Sequence, residues 1–400
     1  MPYITKIHVH NHYRVGDLVL DLSGPPGPDA PFRHLILTGP NAAGKSTILL
    51  RISEEIRENW RGNSTRAGLK SNTTPIGKSP DQVALAQEKL ATLFHVALDW
   101  SGPISNLAPE LNTGRLISAY LPAQRKFVPN SVTGPNRLSY GHVAPHQLIA
   151  SQLKQYLVNQ NVQARLARYD DPAASYAIFD WLESFEQSLA DLYGLPGLKM
   201  DFDRQKFDIQ FREPDGTHYA FDQLADGHSS VLQILGELIL RTSASKEPVP
   251  DTTKPEGVVL IDELDTHLHP SLQERILPFL AGLFPRVQFL VATHSPAIIS
   301  SAANAVVFDL GTKDRVLSEH LRGTPYGRLM TTHFGLETDF DIASTDHLRR
   351  LDELSQKPNP TEAEREELRT LAESLRQTSH SLALEVWNRL EVERIERGDS

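Results

Sequence analysis

A short apolar run that ends in two carboxylates constrains this chain more than any other feature. Val258 to Ile261 are consecutive apolar residues, and Asp262 and Glu263 follow them directly. Such an uninterrupted apolar run is typical of a strand buried on both faces of a parallel sheet. Open α/β sheets bind their ligands at the carboxyl ends of these strands. The pattern therefore predicts an α/β fold that delivers two carboxylates to a ligand site.

A glycine-rich loop upstream indicates what that ligand is. Gly39 to Ser46 reads GPNAAGKS, between the apolar run Leu35–Leu37 and a segment with apolar residues at helical spacing. This strand–loop–helix context is that of a phosphate-binding P-loop, in which backbone N–H groups and a helix N-terminus surround the phosphates. Lys45 would reach the β- and γ-phosphates, and Ser46 would offer its hydroxyl to Mg²⁺. The predicted nucleotide contacts are Gly39, Pro40, Asn41, Ala42, Ala43, Gly44, Lys45, Ser46 and Thr47.

The two carboxylates and a downstream histidine suggest hydrolysis. Asp262 is expected to hold Mg²⁺, and Glu263 is expected to orient or deprotonate the attacking water as a general base. Successive side chains of a strand point in different directions, which suits two separate roles. A second apolar run ends just before His294, which we expect to contact the γ-phosphate and sense its presence. ATP and Mg²⁺ are the expected cofactors; no guanine-specifying motif is apparent, although these residues do not by themselves prove adenine over guanine.

In this order the motifs resemble those of the ABC-type ATPase heads. That class includes the SMC and RecF-like proteins. The strings ELDTHLHP, at 263–270, and ATHSP, at 292–296, are most similar to the OLD-type ATPases of bacterial anti-phage defence, including Septu, retron-associated and Gabija-like ATPases. The resemblance covers residues 1–310. It implies an α/β P-loop NTPase head with a mixed β-sheet, N-terminal antiparallel strands and a helical subdomain over about 128–225, followed by a mainly helical extension at 311–400.

The resemblance also implies two further parts of the site. Gln124 would form the glutamine loop and contact Mg²⁺ or the lytic water, with Arg125 near phosphate. Residues 224–230 would form the signature loop, which binds the γ-phosphate of a nucleotide held by a second subunit. Its contact residues would be Asp226, Gly227, His228 and Ser229. Ala225 stands where the family has a serine, so one hydroxyl donor is absent and the strength of ATP-driven dimer closure stays open.

A function follows from the resemblance. The protein is expected to hydrolyse ATP, to form a homodimer or higher oligomer through its heads, and to regulate a companion effector nuclease. Two alternatives stay open: a nucleotide-gated scaffold or sensor with little turnover, which Ala225 favours, and a RecF-like DNA repair ATPase. Nucleic acid is thus a further candidate partner. A local basic patch could contain Arg61, Arg66, Lys70 and Lys78, or Arg322 and Arg328, although ordinary solvated surface is the simpler interpretation of each.

Composition narrows the cellular compartment and the class of protein. No run approaches the roughly 18 apolar residues of a membrane-spanning helix, and the first residues lack the apolar core of a secretory signal, so a cytoplasmic protein without membrane partners is expected. The absence of cysteine excludes disulfides and cysteine-ligated zinc. The net charge of −10 argues against a protein that coats nucleic acid generally.

Two local patterns carry further expectations. His8, His10 and His12 would share one face of a strand, where partly exposed histidines are a simpler interpretation than a metal site. Thr361 and Glu364 form a capping box, so a helix should begin there. That helix is predicted to continue through Leu382 and Leu390, either as a partner surface or packed on its own domain.

Overall fold

A six-stranded sheet forms the centre of the fold. The computed structural model describes residues 2–24, 31–60, 93–102, 116–138, 144–243, 255–334, 336 and 338–396. The sheet contains β3 (His34–Thr38), β5 (Leu116–Leu121), β9 (Glu256–Ile261), β10 (Val287–Ala292), β11 (Ala305–Asp309) and β12 (Arg315–Leu317). Its order is β12-β11-β3-β10-β9-β5, and only the β11–β12 pair is antiparallel. Every residue of β3, β10 and β11 is buried, as apolar runs predict.

A smaller antiparallel sheet covers one face of this sheet. It contains β1 (Ile4–His12), β2 (Gly16–Asp21) and β4 (His95–Trp100) in the order β2-β1-β4. Helix α1 (Lys45–Trp60) lies in the same layer and buries Ile48 and Ile52 at a spacing of one helical turn. Together with Ile7 and Leu260 these residues form one hydrophobic core. The mixed sheet and the N-terminal antiparallel strands confirm the predicted fold class.

A bulge in β1 separates three histidines that the sequence places on one face. The register with β2 shifts between Val9 and His12, and Asn11 has a φ of 54°. The rings of His8 and His10 still stack, with centroids 6.4 Å apart, but His12 is turned inward and is 2% exposed. The prediction of one shared face is therefore wrong, because an inserted residue reverses the alternation of a strand.

The helical subdomain follows the loop after β5. It contains α2 (Leu153–Asp170), α3 (Pro172–Tyr193), the antiparallel strands β6 (Lys199–Asp203), β7 (Asp208–Arg212) and β8 (His218–Ala220), and α4 (Asp226–Ser243). Asp171 separates the first two helices and caps the second, since its carboxylate accepts from the N–H of Ala174 at 3.1 Å. Strands β6 and β7 pair antiparallel and form a hairpin.

Helix α4 is almost completely buried and is tied to the sheet by an internal ion pair. Glu237 accepts from the backbone N–H of Ala150 at 2.8 Å and pairs with Arg241 at 3.2 Å. Arg241 in turn donates to the carbonyl of Ser118 in β5 at 2.7 Å. Removing one member would leave the other charge buried and unpaired, so the pair holds α4 against the edge strand.

The first compact unit ends at Tyr326, and the second comprises Gly327–Ser400. The first unit also contains α5 (Pro270–Leu283) and α6 (Pro296–Ser301), and α7 (Tyr326–His333) begins at its last residue. Strand β12 belongs to the central sheet, so the sheet extends beyond residue 310, where the recognisable motifs stop. No helix among the described residues combines the length and apolar character needed to cross a membrane.

The second unit contains α8 (Ile342–Ser355), α9 (Glu362–Thr378) and α10 (His380–Glu396). The capping box of Thr361 and Glu364 is confirmed. The single long helix is not: the chain is extended at Ser379, whose hydroxyl oxygen accepts from the N–H of Leu382 at 3.2 Å. This polar cap begins a new helix, so Leu375 and Val386 share one small core with Leu348 of α8.

Acid should weaken the central sheet through His34. Nδ1 of its buried ring accepts from the N–H of Phe289 at 3.0 Å, and burial lowers the pKa of His34 to about 4. The unfolded chain therefore binds this proton first, and the stabilisation is lost as pH falls from 6.5 towards 4. We expect protonation linked to His34 to lower the free energy of unfolding by about 2 kcal/mol when the pH falls from 7.5 to 5.

Urea unfolding at the two pH values measures this loss. A His34→Asn variant keeps an uncharged acceptor for Phe289, so its free energy of unfolding should depend less on pH by that amount. Equal pH dependence in the two proteins would contradict the assignment.

Candidate functional site

Neighbouring strands deliver the predicted site residues to one edge of the sheet. In the order β3-β10-β9-β5, the chain passes from β3 into Gly39, from β10 into Thr293, from β9 into Asp262 and from β5 towards Gln124. The four strands are parallel, so their carboxyl ends lie side by side. The structure therefore brings together segments that are widely separated in sequence, at the edge where α/β sheets bind ligands.

The loop at 39–46 has the backbone of a phosphate cradle. Gly39, Ala42 and Gly44 have φ values of 121°, 60° and 104°, which turn the chain tightly around the helix N-terminus. A side chain at Gly44 would collide with the ring of His12, because a Cβ there would lie 2.3 Å from Cε1. Glycine is therefore required at this position by packing as well as by conformation.

Lys45 lies folded into this loop. Its ammonium donates to the carbonyls of Gly39 and Pro40, each at 3.0 Å, and the residue is 6% exposed. Burial lowers the pKa of Lys45, while the nearby charges of Asp262 and Glu263 oppose this effect. The ammonium is thus held beside the loop by weak neutral acceptors, for which phosphate oxygens would be stronger replacements.

A hydroxyl and a carboxylate meet beside the loop. Ser46 Oγ donates to Asp262 Oδ1 at 3.0 Å, which joins the start of α1 to the end of β9. Burial raises the pKa of Asp262, and the hydrogen bond from Ser46 opposes this shift. Hydroxyl and carboxylate oxygens are ligands that Mg²⁺ prefers, so this pair fits the cation. Gln124 is exposed just beyond the end of β5.

Glu263 leaves the strand conformation and has a different partner from Asp262. Its φ is 43°, and its Oε2 accepts from the hydroxyl of Thr266 at 3.1 Å. The turn that follows stays attached to the sheet, since the N–H of Leu264 donates to the carbonyl of Ala292, the last residue of β10, at 2.9 Å. The two carboxylates thus have different environments: one beside Ser46, the other half-buried and held by a single side-chain hydroxyl.

Two residues that sequence analysis did not single out hold the segment around His294. Asp265 accepts from the Thr293 hydroxyl and, at 3.1 Å, from the N–H of His294. Gln273 accepts from Ser295 Oγ at 2.6 Å and donates to the carbonyl of Leu268 at 2.8 Å. In the sequence, the position of Asp265 two residues after Glu263 could have indicated its role. No sequence pattern indicated a role for Gln273.

His294 lies beside the same cluster of charges. Burial lowers its pKa, and the positive charge of Lys45 acts in the same direction, while Asp265 opposes both. The imidazole is therefore favoured as the neutral form, which can donate to or accept from a ligand depending on its tautomer.

The predicted signature loop begins α4, and its residues face different ways. Asp226 is exposed, and a Cβ on Gly227 would lie 2.8 Å from the carbonyl oxygen of His267. The His228 ring packs on Tyr193, with centroids 4.0 Å apart. Ser229 is buried, and its hydroxyl accepts from the N–H of Phe127 at 2.9 Å. In this conformation the Ser229 hydroxyl is used within its own chain.

The side chain of Arg125, which the family resemblance places near phosphate, is buried. It is 4% exposed and donates to the backbone carbonyls of Pro122, Asp262 and Glu263. Burial lowers its pKa to about 10, and the nearby negative charges oppose that effect. A guanidinium carries five N–H donors in a planar fork, so several carbonyls can accept from it at once. These carbonyls satisfy the buried Arg125 side chain.

Comparisons with known proteins identify a matching family model and several similar proteins. Residues 126–300 match the family model described as "AAA domain, putative AbiEii toxin, Type IV TA system". The Septu protein PtuA of Bacillus thuringiensis is 24% identical over 305 residues, which cover 69% of each chain. The Retron Ec83 probable ATPase of Escherichia coli is 38% identical over 76 residues, which cover 19% of this chain and only 14% of that protein.

A solved structure, the SMC head domain from Thermotoga maritima, aligns with 76% of this chain and 94% of its own, at 15% identity and a TM-score of 0.37. The P-loop lies before the matched residues 126–300, and the fold brings it to their acidic strand end. Residues 126–300 thus match an AAA-type domain model, and the chain is similar to the Septu PtuA and retron ATPases.

Proposed function

We propose that this protein binds and hydrolyses ATP, dimerises around the nucleotide and regulates a partner effector nuclease in bacterial anti-phage defence. The observation that carries the hydrolytic part is the contact between Ser46 and Asp262 at 3.0 Å. It places a P-loop hydroxyl against the carboxylate of the acidic strand end, beside Lys45 and Glu263. Similarity to the Septu and retron proteins supports the defence setting.

The geometry suggests how the residues would share the chemistry. Lys45 would exchange the carbonyls of Gly39 and Pro40 for phosphate oxygens, and Ser46, Asp262 and Gln124 would hold Mg²⁺. A bound Mg²⁺ neutralises charge on the β- and γ-phosphate oxygens. Glu263 would accept a proton from the water that attacks the γ-phosphorus as the bond to the ADP oxygen breaks. His294, held by Asp265, would contact the γ-phosphate.

The N-terminus of α4 is the surface proposed for the second subunit's nucleotide. Asp226 and its neighbours Gly227 and His228 lie at a helix start, where backbone N–H groups favour an anion. Ser229 faces inward, so the proposal rests on the first three residues and on backbone groups. Since Gly227 leaves no room for a Cβ beside the carbonyl of His267, the same loop that follows Glu263 would support this surface.

A Gly227→Ala substitution tests the dimer. The added Cβ would displace α4 from the His267 carbonyl, while the P-loop stays intact. We expect ATP-promoted self-association to weaken about tenfold, with nucleotide affinity changed by less than about threefold. Light scattering with a slowly hydrolysed ATP analogue and fluorescent-nucleotide titration measure the two quantities.

Gly282→Ala is the matched control, because a Cβ at this helical position meets nothing within 4 Å. It should associate as the wild type does. Association of Gly227→Ala at wild-type strength would remove the α4 surface from the proposal.

A nucleotide-gated scaffold with little turnover is the second candidate. Ala225 and the inward-facing Ser229 favour it, because both reduce the hydroxyl donors available to a nucleotide across the interface. Stable ATP-dependent association without multiple turnover would select this function over the first.

A further inference from the structure

Arg125 joins three parts of the proposed site through one side chain. Its Nη1 donates to the carbonyls of Pro122, at 2.8 Å, and of Asp262, and its Nη2 donates to the carbonyl of Glu263 at 2.8 Å. Its Nε contacts the Ser230 hydroxyl of α4 at 3.3 Å. The guanidinium therefore touches the glutamine-loop backbone, the acidic strand end and the helix that carries the signature loop.

The backbone carbonyls of Asp262 and Glu263 can accept from one guanidinium only because of the local backbone conformation. In a regular strand successive carbonyls point in opposite directions, so Asp262 and Glu263 could not both face Arg125. The φ of 43° at Glu263 breaks that alternation. A left-handed conformation is unfavourable for a residue with a Cβ and persists only when its surroundings hold it. The fork of Arg125 supplies that restraint, and the same backbone turn sets the direction of the Glu263 side chain.

Two buried hydrogen bonds connect the segment around Arg125 to α4. Ser230 is fully buried, and the adjacent Ser229 accepts from the N–H of Phe127 at 2.9 Å. The segment around Arg125 is thus bonded to consecutive serines in the first turns of α4, just after Asp226–His228. A shift of the acidic strand end would be transmitted to this helix, because buried polar contacts do not have water as an alternative partner.

From these contacts we infer that Arg125 is a positioning residue: it sets the direction of Glu263 and couples the hydrolytic edge of one site to the α4 surface that meets the other. The inference rests on the proposed function and adds a route of communication between the two nucleotides. Arg125 touches neither water nor phosphate in this role and acts through the backbone of Glu263.

Arg125→Lys and Ser230→Ala test the two halves separately. Lysine keeps the charge but cannot span diverging carbonyls, so Glu263 should be misplaced. We expect kcat to fall about 100-fold in Arg125→Lys, with the KM for ATP changed by less than about threefold. Ser230→Ala removes only the contact to α4. It should weaken ATP-promoted association about tenfold, and its kcat, measured at protein concentrations that saturate association, should fall far less than that of Arg125→Lys.

Lys126→Ala is the control, because this neighbour is exposed and should leave both quantities unchanged. Wild-type kcat in Arg125→Lys would overturn the positioning role, and wild-type association in Ser230→Ala would overturn the coupling.

Amide hydrogen exchange provides a measurement that does not require turnover. In the nucleotide-free protein, peptides covering residues 258–266 should exchange faster in Arg125→Lys than in Lys126→Ala, and equal rates would overturn the inference. A wild type that neither binds nor hydrolyses ATP would count against the proposed function alone, because the exchange result still decides the role of Arg125.

Discussion

Replacing Glu263 by glutamine should lower ATP turnover about 1,000-fold while ATP binding is retained. Glutamine has the same shape, and its carbonyl can still accept the hydroxyl of Thr266, which lies 3.1 Å from Oε2. It cannot take up a proton from water at neutral pH. The backbone turn at Glu263 and the fork of Arg125 do not depend on the carboxylate, so the rest of the site should remain in place.

The variant should therefore accumulate ATP-bound dimer, since binding continues and the hydrolytic step stops. Phosphate release, measured together with light scattering, reports both effects. Glu183→Gln, at an exposed position of α3, is the control for loss of one carboxylate and should behave as the wild type. Hydrolysis in Glu263→Gln at the wild-type rate would show that another group activates the water.

Replacing Lys45 by alanine should weaken ATP binding about 100-fold, which corresponds to about 3 kcal/mol. The ammonium contacts two carbonyls of the phosphate cradle, and Asp262 and Glu263 act on it electrostatically. Without it, a nucleotide polyphosphate would approach these carboxylates with less neutralising charge. Turnover should fall further than affinity, because Lys45 would also stabilise charge that develops on the γ-phosphate.

Fluorescent-nucleotide titration measures the loss of affinity, and thermal unfolding checks that the protein remains folded. Lys206→Ala, in the exposed turn between β6 and β7, removes the same charge away from the site. It should leave the dissociation constant unchanged. Binding of ATP to Lys45→Ala with wild-type affinity would mean that the loop holds the nucleotide through backbone groups alone, or that the ligand lies elsewhere.

The two predictions differ in how directly the residue pattern supports them. The P-loop is a local motif, and its strand, loop and helix are neighbours in the chain. The pairing of Ser46 with Asp262 requires β10 to lie between β3 and β9, which no local pattern specifies. Parallel strands and their connections make that order favourable, and the apolar runs identified the strands correctly.

Other expectations failed where one side chain could point in more than one direction. His12 alternates with His8 and His10 in the sequence, yet a bulge at Asn11 turns it inward beneath Gly44. The C-terminal leucines fit one helix, yet Ser379 divides them between two helices. Of the candidate nucleic-acid contacts, those from Arg61 to Lys78 lie outside the described residues, and Arg322 and Arg328 are exposed.

The amino-acid sequence by itself determined the elements of this protein: the buried strands, the phosphate loop, and the carboxylates and histidine at strand ends. These follow from periodicity and from the residue types that a tight backbone turn or a cation requires, both of which are local properties. The tertiary structure alone decided that Asp262 meets Ser46, that Asp265 holds His294 and that Arg125 joins the acidic edge to α4. Those contacts link segments far apart in the chain, and strand order, burial and the need to satisfy buried polar groups select them only when the whole unit is folded.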